Sequence, residues 1–251
     1  MPTFKAYFKK EIIESVRQYK YIIMAAGIIL FAIADPIMLK VLPEMLKGQL
    51  SGDISSLIKI DFNMAVQNYI KDLSQISYFI VILALMGILS DEIYKHKLVF
   101  PYTKGLNPAA LVLSKVLHYS IALVILIFAG FAINYYYAYT LFEGNVIPFS
   151  KVMSYAMYIS IYYVYTVVLL TFFSSLFKKS ILAVISLLVV DAISAALMNI
   201  SKISAFIPAR LLSVAGTPDM ADITKTIVSV AILCIIFFTA TVIRMNRIEN
   251  L

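Results

Sequence analysis

Charge is scarce in this 251-residue chain: Asp, Glu, Lys and Arg make up 14% of it, while hydrophobic residues reach 62%. A soluble globular domain sits near roughly 25% and 45–50%. With a mean hydropathy of +0.91, there is too little polar surface to coat a soluble ball of this size. Disorder, collagen and a disulfide-stapled secreted scaffold are excluded by the same figures. Cysteine occurs once, as Cys234 in an apolar run, so no intrachain disulfide can form. What remains is an integral membrane protein.

Catalytic signatures are missing as well. There is no G-x-x-x-x-G-K-S/T phosphate loop, so the chain does not hydrolyse ATP by that route. Histidine occurs twice, as His96 and His118, with neither H-E-x-x-H nor a Cys/His cluster. No G-x-S-x-G nucleophile elbow occurs either. The expectation is a chain that is not an enzyme and has no catalytic, cofactor-binding or metal-binding residues of its own. The net charge of +7 sits on bases that flank apolar runs rather than forming a patch, which speaks for membrane topology and against a nucleic-acid partner. The first twenty residues carry five bases and two acids before any apolar run, and no small-residue cleavage site follows, unlike a cleaved signal peptide.

A span needs about 20 largely apolar residues. Six runs qualify, at 21–39, 73–90, 116–142, 152–177, 180–201 and 226–243. Barrel strands would be short and alternating instead, so the expected fold is all-α and polytopic, one transmembrane domain over 1–251. With both termini on the cytoplasmic side, inside segments hold 13 bases in 55 residues and outside segments 8 in 66, the bias that sets orientation. The 178–179 linker is so short that the fourth and fifth spans must form a tight hairpin.

Outside the spans, residues 3–19 show Phe4, Tyr7/Phe8, Ile12, Val16 and Tyr19 at helical spacing, with Lys5, Lys9, Lys10, Glu14 and Arg17 between them. They read as an amphipathic helix on the inner surface, either a topogenic anchor or a lever toward a cytoplasmic partner. The 91–115 stretch, punctuated by Pro101, Gly105 and Pro108, is longer than a connector between adjacent helices needs and reads as a docking element. Residues 40–72, with Gly48 and Gly52, read as an exposed outer cap. In 202–225, Ile203, Phe206, Ile207, Leu211, Leu212 and Val214 are too apolar for a free loop, and Pro208 and Gly216-Thr217-Pro218 break them into pieces. Half-inserted, re-entrant helices packed against protein reconcile that pattern with the bilayer.

Two acids fall within spans, Asp35 and Asp191, and intramembrane charge defaults to a functional hypothesis. Ion coupling is one reading. Against it, Asp35 adjoins Pro36 in the outer third of its helix, where water reaches. Asp191 sits among Ala192, Ser194, Ala195, Ala196 and Asn199, where Ala192-x-x-x-Ala196 permits close helix approach; an interface or cavity-lining role is favoured there. Tyr155, Tyr158, Tyr162 and Tyr165 share one stripe of the fourth span, as a substrate-contacting wall or as ordinary packing. Asn134-Tyr135-Tyr136-Tyr137-Ala138-Tyr139 reads as an interfacial aromatic belt.

In layout the whole chain resembles the membrane subunit of type-2 ATP-binding cassette (ABC) exporters: a basic surface helix, six spans, a long loop after the second, and a broken apolar segment before the sixth. The most specific match is the exit from the second span, where Glu92 stands on the family's Glu and TKGLNPAALVLSK, residues 103–115, ends with Lys115 on the family's final Lys. His96-Lys97 replaces the usual Gly-Thr, Gly105 stands where Pro is usual, and Asn107-Pro108 replaces Ser-Arg. The resemblance implies an elbow helix over 1–20 and a coupling loop over 91–115 whose coupling helix lies within 101–113. It also implies re-entrant outer helices over 202–218. Glu92, Tyr102, Thr103, Lys104, Gly105, Leu106, Asn107 and Lys115 would serve coupling to cytoplasmic ATPase subunits, which would carry the ATP and Mg. A second permease copy or related chain would complete a path bearing Asp35, the four tyrosines, Asp191, Ala192, Ala196 and Asn199. The setting implied is a prokaryotic plasma membrane with both termini cytoplasmic. An ion-coupled transporter using Asp35 and Asp191, or a non-transporting scaffold subunit, stands as the alternative, and the substrate is not written in the chain.

Overall fold

The computed structural model describes residues 2–47, 60–94, 96–142, 146–215 and 222–248. All regular structure among them is helical. Five helices are long and apolar enough to cross a membrane, and the chain is an integral membrane protein.

Helix α1, Pro2–Arg17, is separated from α2, Lys20–Lys47, by a sharp corner at Tyr19, whose φ of 57° is unusual for a residue with a side chain. The long helices that follow are α7, Pro108–Leu141, α8, Phe149–Leu176, α9, Ser180–Leu197, and α12, Ile223–Ile248. Between them lie shorter pieces: α3, Phe62–Asp72, α4, Tyr78–Ala84, α5, Ser90–Tyr94, α6, Val99–Thr103, α10, Ser201–Ser204, and α11, Arg210–Val214. Helix α7 packs on α1, α2, α3 and α8, while α8 packs on α7, α9 and α12. Two-thirds of the most apolar stretch of α8 is buried (67%), against 17% in α9 and in α12. The core therefore lies around α7 and α8, with α9 and α12 on the flanks.

The run expected as one span at 73–90 is not one uninterrupted helix. Helical structure begins earlier, at Phe62, passes through a π-turn at Leu73–Ser77, and ends at Ala84. The Leu73 carbonyl, which accepts the Tyr78 amide across the π-turn, also accepts the Tyr163 hydroxyl at 2.7 Å. Beyond Ala84 the chain turns through Gly87, whose φ of +82° suits a residue without Cβ. The amides of Leu89 and Ser90, left without helical partners, donate to the buried Ser174 Oγ at 3.0 and 2.8 Å.

The expected exposed cap at 40–72 is also corrected. Helix α2 continues to Lys47, and α3 buries Phe62, Ala65, Val66, Tyr69 and Ile70. Their spacing is that of one helical face, started by Asp61, whose carboxylate accepts from the Met64 amide at 2.9 Å. Gly48 and Gly52 lie outside the described residues, as does the Gly216-Thr217-Pro218 turn. The apolar 202–215 segment does form short helices. They are tied to α12 where Thr226 and Ser229 donate to the carbonyls of Ala205 and Phe206, each at 2.7 Å. Only Phe177, Lys178 and Lys179 separate α8 from α9.

Candidate functional site

The segment expected as a loop over 91–115 divides into three parts. Glu92 sits in α5 and is buried; α6 and the turn at 104–107 form a tip; and from Pro108 onward the chain belongs to α7. Asn107 is the N-cap of α7, its side chain accepting from the Ala110 amide at 3.1 Å, with Pro108 at the first helical position. Lys115 is thus seven residues inside a long helix and almost fully buried. Neither Glu92 nor Lys115 is open to a docking partner.

What they do instead is pair. Lys115 Nζ lies 2.7 Å from Glu11 Oε1 and 3.1 Å from Glu92 Oε1, joining α1, α5 and α7 through one ammonium. Lys10 pairs with Glu92 as well, and approaches Glu11 at 3.7 Å and Glu14 at 3.4 Å. A second layer of polar contacts surrounds the first. The Tyr119 hydroxyl donates to Glu11 Oε2 at 3.3 Å and accepts from Lys20 at 3.1 Å and Ser15 at 3.3 Å. His118 Nε2 lies 3.2 Å from both Ser15 Oγ and Tyr21 OH. Glu11, Glu14 and Glu92 bring oxygens within 4.8 Å of one another, a spacing a cation could use; here the ammonium groups of Lys10 and Lys115 compensate them.

The electrostatics follow from this crowding. Burial pushes the Lys10 ammonium down, but the Glu92 carboxylate, with Glu11 and Glu14 behind it, outweighs burial and holds it above its usual range. Burial likewise pushes the Glu14 carboxyl up, and Lys10 and Lys115 together hold it below the usual carboxylate range.

The tip stands apart from this knot. Val99, Phe100, Thr103, Lys104 and Gly105 are exposed, whereas Leu106 is buried. Lys104 Nζ lies over the Phe100 ring, 4.5 Å from its centroid, and Thr103 Oγ1 donates to the Phe100 carbonyl at 2.8 Å. Gly105 takes a φ of +75° with open space around it. Tyr102 anchors the tip by donating to the Met245 carbonyl of α12 at 3.1 Å.

No family model, curated protein or solved structure matches this chain.

Within the bundle, Asp191 of α9 is bound on two sides. Tyr78 of α4 donates to Oδ2 at 2.6 Å and Tyr162 of α8 to Oδ1 at 3.2 Å, while Thr166 donates to Tyr78 OH at 3.3 Å. Asp35 lies in a different seam. It is buried on α2 with the Asp72 carboxyl against it, and its Oδ2 has no partner. The two acids therefore do not share one site. Of the tyrosine stripe, Tyr155, Tyr162 and Tyr165 are buried and Tyr158 is half-buried, so these rings pack rather than line an open wall within this chain. Ala192 and Ala196 are exposed on α9, and Asn199, beyond its end, donates to the Ala196 carbonyl at 3.3 Å, away from the Asp191 seam.

Several groups in the knot escaped the sequence reading: Lys10 and the buried Glu11 as ion-pair partners, Ser15, His118 and Tyr119. One signal was available. Glu11 and Ser15 are polar residues four apart, hence on one helical face, in a helix read as lying on the membrane surface with no assignment of which polar residues face the protein. Val99 and Phe100 were likewise not singled out.

Proposed function

We propose that this chain is the membrane permease subunit of an ATP-driven exporter of the type-2 ABC class, docked by separate ATPase subunits at the tip formed by residues 99–105. The observation that carries the reading is the contrast within one short segment. An exposed tip, presenting Phe100 and Lys104 outward, is braced from behind by the buried Glu92 pairs and by Tyr102 on α12. A lever that receives force from a partner needs such a stiff attachment; a passive connector does not. Through Lys115 and Glu11 the push would reach both α7 and the surface helix α1. The lack of a phosphate loop in the chain itself agrees with a partner that burns the ATP.

In this reading the α3–π-turn–α4 segment is the second of six spans, added to the five long helices. It runs 23 residues from Phe62 to Ala84, about 34 Å at 1.5 Å per residue and enough for the hydrocarbon core. Both termini and the tip lie on the cytoplasmic side, α10 and α11 lie on the outer side, and α1 is the elbow helix. A second copy or related chain covers α9, where Ala192 and Ala196 are free, and the Asp191–Tyr78–Tyr162 seam lies beside the path. The membrane would be a prokaryotic plasma membrane.

The unpartnered oxygen of Asp35 favours one other reading, an ion-coupled transporter. One experiment separates the two. The tagged chain, extracted gently from its native membranes, should bring down a phosphate-loop ATPase, and Phe100→Asp with Lys104→Glu should release it. Transport that continues without ATP, collapses with the ion gradient and is lost in Asp35→Asn would overturn the exporter reading.

A further inference from the structure

Helix α1 turns three faces in three directions. Glu11 and Ser15 point into the protein; Ile12 and Val16 are exposed beside them; and Lys9, Ile13 and Arg17 follow further round, at about 100° per residue. Between this third face and Lys97 runs a groove of about 570 Å³, bordered by Lys9, Lys10, Ile13, Glu14, Arg17 and Lys97. Its acid is already engaged: Gln18 donates to Glu14 at 2.8 Å and Lys10 pairs with it at 3.4 Å. Lys10 in turn is taken up by Glu92. The charged side-chain ends of Lys9, Arg17 and Lys97 have no hydrogen-bond or ion-pair partner among the described residues. Three free cations therefore face a groove whose own negative charge is spent.

We propose that this groove binds the phosphate headgroup of an anionic phospholipid. The charge complementarity calls for an anion, and the neighbouring face says which. Ile12, Ile13, Val16 and, at the corner, Tyr19 are each at least 40% exposed, which fits a helix lying with its apolar side about 5–10 Å into the headgroup and acyl boundary. A headgroup phosphate at that level meets Lys9, Arg17 and Lys97 while its glycerol and chains run along Ile13 and Ile12. A soluble phosphate would leave that apolar wall bare. Because the Lys97 amide donates to the Glu92 carbonyl at 3.0 Å, the bound lipid bridges α1 and the segment leading to the tip. The site requires only that α1 lie on the membrane surface, and it stands or falls independently of the exporter reading.

The full-length chain is reconstituted in nanodiscs of phosphatidylcholine containing a minor fraction of phosphatidylglycerol with a photoreactive group near its phosphate. Crosslinked peptides are then mapped by mass spectrometry. Crosslinks should fall on residues 5–17 and on the Lys97 peptide. They should drop on the order of tenfold in Lys9→Gln/Arg17→Gln/Lys97→Gln. The control pair Lys178→Gln/Lys179→Gln, exposed cations at the same end of the bundle, should leave them unchanged. Should the triple variant fold poorly by circular dichroism, Lys9→Gln and Lys97→Gln taken singly should each still lower the yield. Equal crosslinking in the substituted proteins, an equal fall in the control pair, or equal labelling by a phosphatidylcholine probe overturns the proposal. Complete displacement of the lipid by millimolar inorganic phosphate assigns the groove to a soluble anion and overturns it too.

Discussion

At the α1 end of the bundle, Glu11, Glu14 and Glu92 meet Lys10 and Lys115 in one knot with a buried centre and half-buried outer members, whereas on α9 the single carboxylate of Asp191 is held by the hydroxyls of Tyr78 and Tyr162. The first arrangement pairs opposite charges and joins three helices. The second uses neutral donors that add no charge to the apolar interior. The difference follows from depth. Near the end of the helices, Lys and Glu side chains can be drawn inward, because water still solvates the outer members of the cluster. Within the span every added ion carries its own desolvation penalty, so hydroxyl donors are the cheaper way to hold one carboxylate.

The sharpest way to break the comparison is to remove one member of the knot. Lys115→Met leaves Glu11 and Glu92 buried without their shared ammonium and should destabilise the protein by about 3–5 kcal/mol, read from thermal unfolding in detergent. Adding Glu11→Gln should recover part of that loss, a coupling measurable by a double-mutant cycle. If the two losses simply add, the knot is not a unit.

On the other side of the comparison, Asp191→Leu leaves two phenol hydroxyls without an acceptor, for a loss of about 1–3 kcal/mol each, whereas Asp191→Asn keeps an acceptor for one of them and should lose less. A loss for Asp191→Asn equal to that of Lys115→Met would show that the charge itself, not the hydrogen bonding, is what the α9 seam requires. Ser174→Ala removes the acceptor of the Leu89 and Ser90 amides and should loosen the break after α4 by about 1–3 kcal/mol, visible as faster hydrogen exchange at those two amides.

The smallest expected effect is that of pH. Glu14, held below its usual range, contributes to docking of α1 above its unfolded value of about 4.3 and loses that contribution as pH falls through its lower folded value. Lys10, held above its usual range, contributes below about 10.4 and loses it as pH rises through its higher folded value. Docking of α1, followed by a fluorophore on the helix, should therefore be flat across neutral pH and weaken only toward both extremes. A midpoint near pH 7 would point to a group other than these two.

Much of the fold was legible because membrane insertion imposes a crude rule. A run of some twenty apolar residues must be a helix when no water is present to satisfy its backbone, and five of the six expected runs correspond to long helices. The 73–90 run misled because its first residues complete a helix begun at Phe62 and its last ones turn at Gly87. The apolar spacing of 62, 65, 66, 69 and 70 behind the Asp61 cap was readable and was overlooked in a segment that looked polar on average. The site was less legible. Exposure of the tip could be guessed from Pro101, Gly105 and Pro108, but the inward turn of Glu11 and Ser15 depends on partners from α5 and α7 that are remote along the chain.

Composition and hydrophobic run length determined on their own that this is a helical membrane protein, because transfer of backbone and apolar groups into lipid depends on local sequence alone. Tertiary structure alone decided which charges meet. Lys10, Glu11, Glu92 and Lys115 are brought together from three helices up to 105 positions apart, and the pairing of an ion is a property of distance in space, to which spacing along the chain is blind.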